Sequence, residues 1–296
     1  MDQRIALITA LLLGAAMPSP SRLQGEDADG SLFIIANTQF TLCHEIGHAL
    51  FSELNVADFG SEEDAVDQLA AICFLHPKEP TQNDPLATEK LLAVADAWRL
   101  EWALADDPPA YWDVHSLDIQ RFYNVLCLIY GSDPDRFRAL PEQNGLPWQR
   151  AWSCEEHEYR RAVEALRELV RTRGYPDGSS KVPTQSAVRV EYEVATTASK
   201  EWLASMIKAS GLLENKANLL NRVFPLPRVI TIVMTNCLGD ATATWRSDRR
   251  EITFCYELLE RFAYLQEHRG CLAHAGKLHS TAAEIRACLS STEANR

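Results

Sequence analysis

The chain has 296 residues, 46% of them apolar, with 29 basic and 41 acidic side chains and a net charge of −12 when histidine is neutral. A chain this long can bury a sizeable core, which excludes a disordered segment and a disulfide-only mini-scaffold. Its acidic balance, with both signs interspersed, excludes nucleic-acid backbones and anionic membranes as main partners, because both need a basic patch.

In chain order, Arg4 precedes an apolar run from Ile5 to Ala16, and Met17-Pro18 follows. The run is shorter than the roughly 20 residues that span a bilayer. With the small residues Gly14 and Ala16 ahead of a proline, it predicts a signal peptide over residues 1–16. The alternative is a first core helix. Phe33-Ile34-Ile35 reads as a short strand or the lead-in to a helix, and from about Thr38 the apolar positions Phe40, Ile46, Ala49, Leu50 and Leu54 take helical spacing. Ser61 is a candidate N-cap for a second helix to about Leu75, which His76-Pro77 ends. Helical patterns recur at 87–105, 115–130 and 155–173, separated by Pro108-Pro109 and Pro134.

Gly174 to Pro183 is rich in Gly, Pro, Asp and Ser and reads as a linker over 174–183. Beyond it, 187–194, 229–235 and 251–255 have strand character, with one helix over about 199–224 between the first two. Asp248-Arg249-Arg250 suggests a hairpin turn. The expected organisation is a helical half at 31–173, a smaller α+β half at 184–265 and a C-terminal tail at 266–296.

His44-Glu45-Ile46-Gly47-His48 is an HExxH pattern on a predicted helix. Positions i and i+4 share a face, so both imidazoles can reach one ion, and Glu45 can reach water beside it and act as general base. The pattern arises by chance in roughly 2% of chains of this composition. Downstream, Glu63-Asp64-Ala65-Val66-Asp67 opens the next predicted helix. A helix returning antiparallel can bring Glu63 to the metal, giving a His2Glu zinc site with one open position. Asp67, one turn on, can accept from the second ring nitrogen of a ligating histidine. Glu62 is a competing ligand, and Glu62, Glu63 and Asp64 are also ordinary helix-start acids.

These residues resemble a family. Phe40 to Leu50 together with Gly60 to Ala70 is similar to the bacterial metallopeptidases grouped as DUF4344. So are His115 to Asn124, Cys127, Tyr130 to Pro134, Cys154-Glu155 and Ile252 to Leu258, and the likeness covers most of residues 33–265. The resemblance implies a metallopeptidase more than it implies any substrate. In the family the Cys-Tyr-Glu segment precedes the HExxH helix, whereas Cys255-Tyr256-Glu257 follows it here, and 241–245 departs from the family's sequence. The swapped order implies either a circular permutant, whose second half supplies the sheet beside the active-site helix, or a fusion of two partial copies without that sheet. The expected fold class is α+β, with a mainly helical zincin-like catalytic part and a small β-sheet from the C-terminal half.

His115 and Tyr123 fall in the family-like segment and are candidate donors to a developing oxyanion, His115 the better. Tyr256 and Glu257 line the cleft if the halves are permuted and otherwise read as core, and the Trp98–Trp102 pair reads as core or interface rather than a ligand platform. No two of the eight cysteines have CxxC spacing, which excludes a zinc ribbon or thioredoxin motif. An export signal permits disulfides, and pairs within one half are Cys127 with Cys154 and Cys237 with Cys255; Cys271 with Cys288 is an open third pair. Cys73 stands about 15 Å along its helix from Glu63 and is expected out of reach of Cys43.

The expected function is an exported, secreted or periplasmic, zinc-dependent metallopeptidase of gluzincin type acting on a peptide or protein. His44, His48 and Glu63 hold Zn2+, Asp67 orients a ligand, and Glu45 and His115 are catalytic. The alternatives are a zinc-stabilised binding protein or inactive pseudo-peptidase, and a hydrolase of other acyl substrates using the same metal chemistry.

Overall fold

A computed structural model describes residues 27–57, 60–75, 86–105, 108–175, 187–274 and 281–294. The signal-peptide reading (1–16) and nearly all of the linker reading (174–183) lie outside the described residues.

The organising element is α1 (Asp27–Glu53). Phe33, Ile34, Ala36, Phe40, Leu42, Cys43, Ile46, Ala49 and Leu50 are all buried and point around much of its circumference, the signature of an interior helix. It starts well before Thr38, and Phe33-Ile34-Ile35 is helical within it. Its inward polar groups are satisfied locally: Asn37 Nδ2 donates to the Phe33 carbonyl at 2.9 Å and Thr38 Oγ1 to that of Ile34 at 2.8 Å. Helix α2 (Glu62–Leu75) follows, capped by Ser61 Oγ, which accepts from Asp64 N–H at 3.3 Å. Contacts of His48 with Glu62 and of His44 with Asp67 run in opposite chain senses, so α2 lies antiparallel on α1.

Helices α3 (Ala87–Leu104) and α4 (Asp118–Ser132) pack on this pair. Short helices α5 (Leu140–Asn144) and α6 (Trp148–Ser153) lead into a π-turn at Cys154–Glu158 and then α7 (Tyr159–Arg173). The second half brings β1 (Val188–Tyr192), α8 (Ala198–Ser210), α9 (Leu212–Val223), β2 (Ile230–Thr235), β3 (Ala243–Arg246), β4 (Glu251–Cys255) and α10 (Tyr256–His268). Short α11 (Gly270–His274) and then α12 (Ala282–Ala294) follow, in the stretch expected as a tail. The single helix expected over 199–224 is two, because Gly211 takes φ +65° and closes α8 with a left-handed cap that a side chain would strain.

The sheet has the order β1-β2-β4-β3. Pairs β1–β2 and β2–β4 are parallel, and β3–β4 is an antiparallel hairpin through 247–250. Central β2, with Ile230, Ile232, Val233 and Met234 buried, is the apolar run of a strand covered on both faces. Edge strand β3 had no counterpart among the expected strands: four residues of mixed polarity carry too little pattern to separate it from the turn beside it. It lies against α1.

Both halves share one hydrophobic core. Ion pairs also cross between them: Glu53, with a side chain 1% exposed, accepts from Arg228 at 2.9 and 3.0 Å, Glu101 from Arg261 at 2.5 and 2.8 Å, and Asp96 from Arg269 at 2.7 Å. Arg286 of α12 donates to the carbonyls of Ala103 and Ala105, tying the C-terminal helix to the end of α3. Disulfides join Cys127–Cys154, Cys237–Cys255 and Cys271–Cys288.

Cys43 and Cys73 are free but not distant: their thiols hydrogen-bond to one another. The expectation of separation fails because side chains lean toward the N-terminus of their own helix. In an antiparallel pair the two therefore lean toward each other, and Cys43 already lies more than a turn up α1 from His48 in that direction. Cys73, with help from the nearby Lys216 ammonium, holds the Cys43 thiol below its ordinary range against the opposing effect of burial.

Candidate metal centre and active site

The first link is close helix packing. A Cβ on Gly47 would sit 2.6 Å from Val66 Cγ1 and 2.8 Å from Val66 Cβ, so only glycine lets α2 approach α1 this closely. That approach sets the first turn of α2 against the HExxH face. Glu63 Oε2 stands 3.2 Å from His44 Nε2, 3.3 Å from His48 Nε2 and 3.1 Å from His115 Nε2. The Nε2 atoms of His44 and His48 are 3.2 Å apart.

These spacings fit a cation. Four ligands on a tetrahedron with bonds of 2.0–2.1 Å stand about 3.3 Å apart. Glu63 Oε2 is buried and, with three imidazoles around it, makes no hydrogen bond. A cation at the centre would satisfy it. His44, Glu63 and His115 also form a group whose donor atoms all lie within 4.8 Å of one another.

Outer partners fix each ring. Asp67 Oδ1 meets His44 Nδ1 at 2.8 Å, Glu62 Oε1 meets His48 Nδ1 at 2.6 Å, and Asp113 Oδ1 meets His115 Nδ1 at 2.9 Å. Each carboxylate holds an Nδ1–H and leaves the Nε2 lone pair facing the cluster. Asp67 is held in turn by Arg121, at 2.7 Å to Oδ2 and 2.6 Å to Oδ1, and the Arg121 guanidinium lies 3.6 Å over the Trp98 ring.

The charges follow from these contacts. Burial alone would depress His44, but its hydrogen bond to Asp67 and the negative charge of Glu63 beside its Nε2 outweigh it and raise its pKa to about 9. The imidazoles crowded around Glu63, His44 first, lower its carboxyl. Asp67 is lowered too, the His44 and Arg121 contacts overcoming its burial. Glu45 goes the other way: burial pushes its carboxyl up, against the pull of His44 and His48 and the backbone hydrogen bond from Trp245. That bond, from Trp245 N–H on β3 to Glu45 Oε2 at 2.6 Å, joins the sheet edge to the HExxH helix.

Thus His44, His48, Glu63 and His115 converge, Asp67 lies behind His44, and Glu45 sits beside them at the strand. Glu62, a rival ligand in the sequence, orients His48 instead. Tyr123 packs edge-on against Phe122, centroids 5.0 Å apart, outside the cavity at the site. Tyr256 donates to the Glu193 carbonyl at 2.7 Å and Glu257 pairs with Lys200 at 2.6 Å, both anchoring the start of α10. Trp98, read as core or interface, lines the cavity. Asp113, Arg121 and the Trp245 amide went unremarked in the sequence. An acid two residues before His115 was a local signal for the first, whereas a backbone N–H distant in the chain leaves none.

The chain is an α+β fold whose central helix brings two histidines and a glutamate to an acid on the next helix. The chain belongs to the DUF4344 family, described as "Putative metallopeptidase", whose model matches residues 17–170 and 192–289. Comparisons with curated proteins and with solved structures find no match.

Proposed function

We propose that the protein is an exported zinc metallopeptidase of gluzincin type that hydrolyses peptide bonds. The observation carrying this is the buried Glu63 Oε2, without a hydrogen bond among three imidazole nitrogens at 3.1–3.3 Å. His44, His48 and Glu63 are the zinc ligands. When bound, zinc supplies a Lewis acid that polarises the scissile carbonyl and makes water more acidic.

The chain's own residues supply the rest. Glu45 takes a proton from the attacking water and delivers it to the leaving amine; its raised pKa brings it nearer the operating pH, where such a base works best. The Trp245 N–H on Oε2 holds the carboxylate in place for that transfer. His115, its Nδ1–H fixed by Asp113, acts as the imidazolium and donates a hydrogen bond with its second proton, on Nε2, to the carbonyl oxygen as charge develops there, a contribution of about 10²–10³ in rate for a comparable donor. The sheet's contact with α1 favours a single peptidase domain assembled from halves in swapped order. Three disulfides fit a secreted or periplasmic site, and no described helix is long and apolar enough to cross a membrane.

Metal analysis of purified protein together with a Glu45→Gln variant on a peptide library tests this. The expected result is one zinc per chain and a loss of about 10²–10⁴ in hydrolysis for the variant. Wild type without zinc, or a variant as active as wild type, overturns it.

One observation favours a second reading, a zinc-stabilised protein without hydrolysis. His115 Nε2 is as close to Glu63 as the two helix histidines are, and a fourth protein ligand would leave no open position. His115→Ala separates the two. A catalytic His115 leaves zinc affinity within a few-fold and lowers turnover, whereas a ligand His115 takes the zinc with it.

A further inference from the structure

Beside the candidate metal centre a cavity of about 300 Å³ opens between α1, α3, α4, α10 and the chain entering β3, with Glu45 and His115 on its wall. Phe40, Trp98, Leu258 and Phe262 give it an apolar body. This is the low end of ligand-site volumes, room for one long side chain.

The charges lining it do not cancel. Arg121 is engaged by both oxygens of Asp67, and Glu101 by both nitrogens of Arg261. Glu45 is held by the Trp245 amide. Asp118, the first residue of α4, lines the same cavity; Arg121, Arg261 and His115 attract it and Glu101 repels it, but none of the described residues hydrogen-bonds it or pairs with it at contact distance. An apolar occupant would cover this carboxylate without supplying a partner, whereas a cation on an apolar stem satisfies both the charge and the walls.

We propose that this cavity receives the side chain flanking the scissile bond and selects lysine or arginine there, with Asp118 pairing the cation. The proposal rests on the peptidase reading and adds its substrate class, basic peptides. A substrate's α-ammonium would offer the same charge, but it would leave the apolar body of the cavity empty, so the side chain is the source assigned. The net charge of −12 favours encounter with such peptides.

The test uses the zinc-loaded full chain and quenched peptides, each prepared both N-acetylated and with a free N-terminus, that differ only in arginine, lysine, norleucine or glutamate on either side of the cleaved bond. The expected wild-type kcat/KM for arginine or lysine exceeds that for norleucine by about 10-fold or more, as expected when a buried charge is left unpaired. That ratio collapses in Asp118→Asn and returns in Asp118→Glu. In parallel, calorimetry measures binding of arginine amide and norleucine amide to wild type and Asp118→Asn, independently of turnover. Cleavage without a basic preference, or a preference that survives Asp118→Asn, overturns the proposal. So does cleavage confined to peptides with a free N-terminus, which would assign the carboxylate to the α-ammonium. If no peptide is cut, the peptidase reading fails by itself. Arginine amide binding that depends on Asp118 then still supports the pocket, and its absence overturns it.

Discussion

Replacing Gly47 by alanine would add a carbon 2.6 Å from Val66 Cγ1 and 2.8 Å from Val66 Cβ. Carbon atoms in contact normally sit about 3.5–4.0 Å apart, so one helix must retreat by about 1 Å. No rotamer of Val66 relieves this, because its Cβ is fixed to the α2 backbone. Alanine is favoured over glycine inside a helix by about 1 kcal/mol, while overpacking costs about 1–3 kcal/mol. The net loss of stability is therefore about 2 kcal/mol at most, and the metal-free protein still folds. Zinc binding suffers more. Glu63 sits one turn from Val66 and retreats with it, while ligand distances tolerate only about 0.2 Å. Zinc affinity is expected to fall by at least the ~100-fold that marks the upper range for disturbing an outer partner. Competition against a chromophoric chelator measures this, with thermal unfolding in EDTA as the control for folding. Val66→Ala on the same background removes the Cγ1 clash but not the Cβ one, so it should restore only part of the affinity. A Gly47→Ala protein that folds and binds zinc as tightly as wild type would refute the close-packing argument.

Asp67→Asn removes the carboxylate shared by His44 and Arg121 and should weaken zinc binding about 10–100-fold, read by the same competition. Alkylation in denaturant without reductant should label two cysteines, Cys43 and Cys73, rising to all eight after reduction; peptide mass spectrometry identifies them. Glu257 is held down at about 2 by Lys200 and backbone donors despite the opposing effect of burial. Because its folded pKa is depressed, its stabilisation is present above the ordinary carboxylate value near 4.5 and is lost as pH falls from there to about 2. Wild type should thus exceed Glu257→Gln by about 1.5–3 kcal/mol in urea unfolding at pH 6, a gap that closes toward pH 2. A gap constant with pH would show that the charge contributes nothing.

The sequence was most informative where chemistry is local. His44 and His48 lie one helical turn apart, and Glu63 and Asp67 repeat that spacing on the next helix, so a 3.6-residue period alone puts them on facing surfaces. Ser61 marked the start of α2, and β-branched runs marked β2 and β4. Periodicity could not show how the surfaces meet. The thiols of Cys43 and Cys73 touch because antiparallel side chains lean together, which distance along one axis misses. The helix expected through 199–224 breaks at a single glycine whose φ only the fold reveals. Edge strand β3 and its hold on Glu45 depend on a long-range backbone contact, for which side-chain type gives no signal. Trp98, read as a core or interface residue, packs on the core and also lines the cavity, a second role that helical spacing does not reveal.

The Trp245 bond to Glu45 joins residues 200 positions apart in the chain. A polypeptide emerging N-terminus first presents its HExxH helix and the acid that faces it long before the strand that steadies the base has been made. The strand is in place only once β3 has paired with β4, close to the end of synthesis. Under the proposed mechanism, the helical half alone holds a metal without a positioned base. Hydrolytic competence would then belong to the finished chain, leaving it unarmed during most of its own synthesis.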